Sequence, residues 1–216
     1  MTLGNVGRAS SSDFEGKRKV LLLPFVIATR EDQELQDLVL KYWEEAMDQV
    51  RKLETSFGPV RHLFHEGSVG QDDKAVQALE QGNPAGFPYL KRAIDDGAKL
   101  EETEDPAALS ETLDLHRCLA VVQSSQEVMH RLVEWFEQSR KRRYAAIGQR
   151  VETAVAPNSV ALLVISPDHE VRFPKDIEVV YIVPPVLDQI NRWMREHRMD
   201  EASPAEETEP QPDAQE

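Results

Sequence analysis

Three groups of residues in this 216-residue chain carry side chains capable of chemistry. The first is Asp168-His169-Glu170, bracketed by Pro167 and Pro174 and followed by Asp176. It comes directly after the apolar run Val160 to Ile165, in the loop or hairpin behind a buried strand. Such loops often carry function in α/β enzymes, and an imidazole beside carboxylates can act as a general base. Asp168 and His169, with His65 or Glu66 nearby, are therefore the catalytic candidates for a small hydrolase-like enzyme using residues 167–176. No nucleophile motif such as Gly-x-Ser-x-Gly accompanies them. The plainer reading of the segment is a polar turn between two strands.

The second group is Arg140-Lys141-Arg142-Arg143, with Arg131 and Arg150 nearby, the one dense basic feature of the chain. It is the binding candidate, suited to RNA phosphates or an acidic partner. Four consecutive residues on a helix also spread around its circumference, which describes a solvated face equally well.

The third group is His62, His65 and Glu66. On a strand, positions i and i+3 point to opposite faces, so the two imidazoles do not chelate one ion, and no metal site is expected. The acidic stretch from Asp95 to Asp105 lacks EF-hand spacing and reads as a solvated loop. Cys118, the single cysteine, sits among Leu115 and Leu119 to Val122 and reads as a small core thiol. Neither glycine-rich phosphate cradle occurs, and no cofactor is expected.

The elements that must position these groups follow from apolar spacing. Val20 to Leu23 with Phe25 to Ile27 forms a continuous run, as in a strand buried on both faces. Thr29 to Asp32 supplies helix-start residues. Leu35, Leu38, Tyr42, Met47, Val50, Leu53 and Phe57 recur three or four apart, predicting a helix over 31–56 ended by Gly58-Pro59. Val60, Leu63 and Phe64 form a second strand, followed by a loop over 67–70 and a short helix over 71–81. A turn or two of helix over 89–94 and a helix opening at Pro106 come next. The longest helix spans 126–155, crossed by Gly148 at a cost of about 1 kcal/mol relative to alanine. Strands at 160–165 and 177–183 and a helix after Pro184-Pro185 complete the pattern. It predicts an α/β domain over 19–199, with a small mixed or parallel sheet of about three to five strands and long amphipathic helices packed on it.

Composition bounds the function. The chain holds 25 Lys and Arg against 39 Asp and Glu, a net charge of -14. Seven of those acids lie in 200–216, which has three prolines, no basic residue and no large apolar one, as in a disordered acidic tail. Without it the chain carries 25 bases against 32 acids, a net of -7. Residues 1–18 read as a disordered leader. Lys17 to Lys19 ahead of the apolar run lacks the length and cleavage pattern of a signal peptide. No run reaches the length of a membrane span, and one cysteine excludes a disulfide framework. A cytoplasmic protein is expected.

From Tyr144-Ala145-Ala146-Ile147-Gly148 through Val151 to Val155 and Ser159 to Ser166, the chain resembles one segment of the C-terminal domain of the archaeo-eukaryotic class-1 release factors and Pelota. The likeness covers about a tenth of the chain and implies association with the ribosome or RNA. That family also carries a Gly-Gly-Gln loop; Val69-Gly70-Gln71, in a loop before a helix, has valine in place of the first glycine. The chain as a whole, with Phe173-Pro174, Pro184-Pro185 and Arg192-Trp193, resembles bacterial proteins to which no activity attaches.

The leading expectation is a non-catalytic interaction module, ribosome- or RNA-associated through Arg140 to Arg143. The alternatives are the small enzyme above and a homo-oligomer whose long helices form the interface. Exposed Leu or Trp stripes would favour the last of these.

Overall fold

The computed structural model describes residues 16–28, 32–121 and 124–202. In chain order the elements are β1 (Arg18–Pro24), α1 (Gln33–Phe57), β2 (Val60–His65), α2 (Asp73–Gly82), α3 (Phe87–Asp95), β3 (Lys99–Leu100), α4 (Pro106–Leu119), α5 (Gln126–Ala154), β4 (Val160–Ile165), β5 (Ile177–Tyr181) and α6 (Val186–Ala202). Side-chain caps fix four helix starts. Asp32, Asp72, Asp105 and Ser125 accept from the backbone N–H of Leu35, Ala75, Ala108 and Val128, satisfying donors that a helix end leaves open.

The α/β architecture expected from the apolar pattern is present, with every pairing parallel in the order β3-β2-β4-β1-β5. Side-chain alternation along β1 divides the core in two. Leu21 and Leu23 face α1, α2, α3 and α6, meeting Val39, Tyr42, Trp43, Leu79, Leu90 and Trp193. Val20 and Leu22 face the opposite way, onto Tyr144, Ile147 and Val151 of α5. Because helices cover both faces, the central strands are apolar at consecutive positions rather than alternating.

Three expectations need correction here. Arg18, placed in the leader, already belongs to β1, and its guanidinium donates to Asp176 at 2.6 Å and to the carbonyl of Glu152 at 2.5 Å. Gly16 N–H donates to Asn158 Oδ1, so 16–18 are tied to the domain, while 1–15 lie outside the described residues. At the other end α6 continues through Ala202, past the expected boundary of the tail at 200, and 203–216 lie outside the described residues. Lys99 and Leu100, read as part of a solvated loop, add a short edge strand to β2, because Leu100 is buried against Leu63.

The longest helix is continuous, as its spacing predicts, and Gly148 has a packing reason. A Cβ there would lie 2.9 Å from the carbonyl oxygen of Arg172 and 3.4 Å from Val171 Cγ1. The glycine lets the 166–176 connection lie flat on α5. Buried positions of α5 begin only at Ser139. Among the described residues the preceding stretch, about 20 Å of helix at 1.5 Å per residue, packs against α4. Cys118, expected in the core, is exposed on α4, a helix on which Thr112 is the buried position. Among the described residues no helix is long and apolar enough to cross a membrane.

Candidate functional site

The connections after the two adjacent strands β1 and β4 leave for opposite faces of the sheet. The first leads to α1, whereas the second packs Val171 against α5. In open parallel sheets such a reversal opens a crevice at the carboxyl ends of the strands, where ligands bind.

The crevice floor is a buried ionic network. Glu66, directly after β2, accepts from Arg143 Nη2 at 2.8 Å on Oε1, and from Ser166 N–H at 2.6 Å and Ser166 Oγ at 2.5 Å on Oε2. Arg143 also donates through Nε to Glu104 Oε2 at 2.9 Å and through Nη2 to Glu104 Oε1. Gly67 N–H donates to the same carboxylate at 3.0 Å. The side chains of Glu66, Glu104 and Arg143 are 9%, 0% and 10% exposed. Burial alone would pull the Arg143 guanidinium down, but the hydrogen bonds and charge of Glu104, and then Glu66, outweigh it and hold the group above its usual range. Tyr144, beside it, is pushed up to about 12 by burial and by the Glu66 carboxylate.

The two sequence-derived histidines near this floor are held by hydrogen bonds to backbone groups and, for His65, to the Asn83 side-chain amide as well. His65 Nδ1 lies 2.7 Å from the carbonyl of Glu66, and Nε2 lies 3.1 Å from Asn83 Nδ2. A carbonyl can only accept and an amide nitrogen can only donate, so the imidazole is the neutral Nδ1–H tautomer. Burial takes its pKa down to about 4, despite opposing contributions from the Glu66 carbonyl and charge. His169 is half-buried, accepts from Val171 N–H at 3.2 Å and stands edge-on to Tyr144. Burial lowers its pKa as well. Asp168 projects to solvent, 3.7 Å from Arg140. Among the described residues no hydrogen bond joins Asp168 to His169. The Ser166 hydroxyl donates to the Glu66 carboxylate, and among the described residues it makes no hydrogen bond to an imidazole.

The basic run does not form one surface, since successive helical residues turn by about 100°. Arg143 points into the core network. Arg140 pairs with Glu137 at 3.3 Å and Glu170 at 2.6 Å, and Arg142 takes both oxygens of Glu111 at 2.7 Å. Lys141 is exposed and borders an open groove of about 580 Å³ between α5 and the 166–176 connection, together with Glu152, Glu170 and Arg172. His62 lies apart from His65, with Nδ1 2.9 Å from Glu101.

Sequence reasoning passed over Glu104, Ser166 and Asn83. A polar residue immediately after a buried parallel strand was the available signal for Ser166, since that position borders the crevice. Glu104 and Asn83 come from elements whose burial depends on tertiary packing. Comparison with known proteins finds no matching family model, no similar curated sequence and no similar solved structure, so the likeness of residues 144–166 to release factors rests on those residues alone.

Proposed function

We propose that the chain is a non-catalytic interaction module whose α4–α5 arm mates with the arm of a second copy. The observation that carries this is the first half of α5. Among the described residues Gln126 to Gln138 packs beside α4 and buries no side chain of its own, and Leu113, Val128, Val133 and Trp135 on the pair are 46%, 46%, 44% and 53% exposed. Leu109, Leu115, Leu119, Met129, Leu132 and Phe136 are only half-buried between the two helices. Val128 and Trp135, seven residues apart, share one side of α5, and an apolar side of a helix pair left uncovered among the described residues marks an association site.

A second copy is the occupant favoured by stoichiometry and charge. A face that needs permanent cover is best served by a partner present at equal concentration, and two-fold pairing of hairpins yields a four-helix bundle. The arm's arginines are already matched within the chain: Arg117 with Asp114 at 2.8 Å, Arg131 with Glu127 at 3.1 Å, and Arg142 with Glu111. That leaves no single-signed field of the kind a nucleic acid requires.

Sedimentation velocity of the full chain tests the reading. Dimers that dissociate in Trp135→Glu and Val128→Glu, with far-UV circular dichroism unchanged, are the expected result. A wild type that stays monomeric at every accessible concentration overturns it. So does salt-sensitive RNA binding lost on Lys141→Ala, which would return the function to a polyanion.

A further inference from the structure

The two edges of the sheet are finished differently. At one end β3 is two residues long, and a very short strand blunts an edge against unwanted pairing. At the other end β5 pairs with β1 over five residues in unbroken register, and among the described residues no strand lies beyond it. The backbone bonds fix which of its groups face outward. Ile182 N–H donates to the Leu22 carbonyl at 2.8 Å, whereas Lys19 and Phe25 N–H of the first strand's run donate to Ser159 and Ile165 on the β4 side. Glu178, Val180 and Ile182 therefore turn their backbone groups toward β1, and alternation turns the N–H and C=O of Val179 and Tyr181 away from the sheet. Among the described residues no hydrogen bond reaches those outward groups. The side chains leave the same edge open. Tyr181 and Val183 are 62% and 56% exposed, no charged residue or proline interrupts Val179 to Val183, and the pairing with β1 carries no bulge.

We infer that the open edge of β5 receives an extended, uncharged segment of a partner protein, with β-branched or aromatic residues at alternate positions, which adds to the sheet as a sixth strand. In such pairing the main-chain hydrogen bonds give affinity and every second side chain gives selectivity. Val179 packs on the α5 side of the sheet, and alternation puts Tyr181 and Val183 on that side too. Partner residues directly opposite these three share their face, where aromatic and β-branched pairs are the favourable ones. Charge excludes the alternative pattern. The edge offers no ionic partner between Val179 and Val183, so a charged residue laid on Tyr181 would lose water without compensation. Length selects a peptide over a second copy. Five residues at about 3.3 Å each make an edge of about 17 Å, and a strand pair of that length, taken alone, falls short of the ~1,200 Å² that a stable complex buries. It suits a weak, reversible contact with a short segment. This inference is independent of the arm, which lies on α4 and α5.

The probe is a capped heptapeptide of alternating valine and threonine with a terminal lysine for solubility, titrated into the full chain and followed by amide nuclear magnetic resonance. Saturable shifts at Val179, Tyr181 and Val183 are expected, with hydrogen exchange slowed at the Val179 and Tyr181 amides and unchanged at Val180 and Ile182, which already face β1. Methylating the peptide nitrogens that face the edge should abolish binding while leaving its side chains intact. Tyr181→Pro removes the outward N–H and spares the ladder to β1, so it should abolish binding as well. Tyr181→Ala keeps that N–H and should weaken binding by up to about fivefold, the worth of one cross-strand pair. The inference is overturned if no saturable shift appears at these residues, if the methylated peptide binds equally, or if a peptide with glutamate in place of valine binds as well. Protection of the Val179 and Tyr181 amides without peptide overturns it too. If that protection grows with protein concentration, the edge belongs to a second copy.

Discussion

The hydroxyl of Ser166 lies 2.5 Å from Oε2 of Glu66, although 100 residues separate the two in the chain. The contact ties the end of β4 to the end of β2, and through the other carboxylate oxygen it reaches Arg143 on α5. One guanidinium and two carboxylates thus lock the carboxyl edge of the sheet to the helix that covers it.

Removing the guanidinium leaves two carboxylates buried and facing each other. Arg143→Met should destabilise the protein by about 3–5 kcal/mol, the cost of breaking a buried pair from one side. Urea unfolding measures it, and a loss below about 1 kcal/mol would mean the network is solvated.

Gly148→Ala raises intrinsic helix propensity by about 1 kcal/mol, yet the added methyl would press on the Arg172 carbonyl. A net destabilisation of about 1–3 kcal/mol is expected from the overpacking. A more stable variant in thermal unfolding would show that the 166–176 connection is not seated on α5.

His65 makes stability depend on pH. Its pKa is about 4 in the folded state against 6.5 ordinarily, so the unfolded chain binds the extra proton first. The contribution is complete above pH 6.5 and is lost as pH falls toward 4, by about 3 kcal/mol in total. Urea midpoints across that window should fall with acid in wild type and fall less steeply in His65→Gln. Equal slopes would place the titration elsewhere.

The loop histidine should behave differently. His169→Ala removes a half-buried ring with one backbone contact and is expected to change stability by no more than ~1 kcal/mol. A several-fold larger loss in the same unfolding assay would make it a structural group.

Association through the arm gives a thermodynamic signature. Because pairing stabilises only the folded state, the melting temperature should rise with protein concentration in wild type and stay constant in Trp135→Glu. A concentration-independent wild type would contradict self-association.

What could be read from the chain was the part that local pattern encodes. Continuous apolar runs announced β1 and β4, and three-to-four spacing carried the prediction of α5 straight across Gly148. Lys99-Leu100 escaped because two residues inside an acidic stretch carry no periodicity, and their pairing with His62 and Leu63 is a tertiary fact. Arg143 stood in sequence as one member of a basic run, and its burial depends on Glu66 and Glu104, 77 and 39 residues away.

The way α5 is seated has a mechanical consequence. Its C-terminal half is clamped to the sheet while its N-terminal half stands clear, and Arg143 lies near the crossing point, one turn beyond Ser139. The buried Thr112–Ser139 hydrogen bond at 2.9 Å fastens α4 to the same place. The helix is thus a lever with its fulcrum at the salt-bridged edge, and torque applied at the arm is borne first by the pairs Arg143 makes with Glu66 and Glu104.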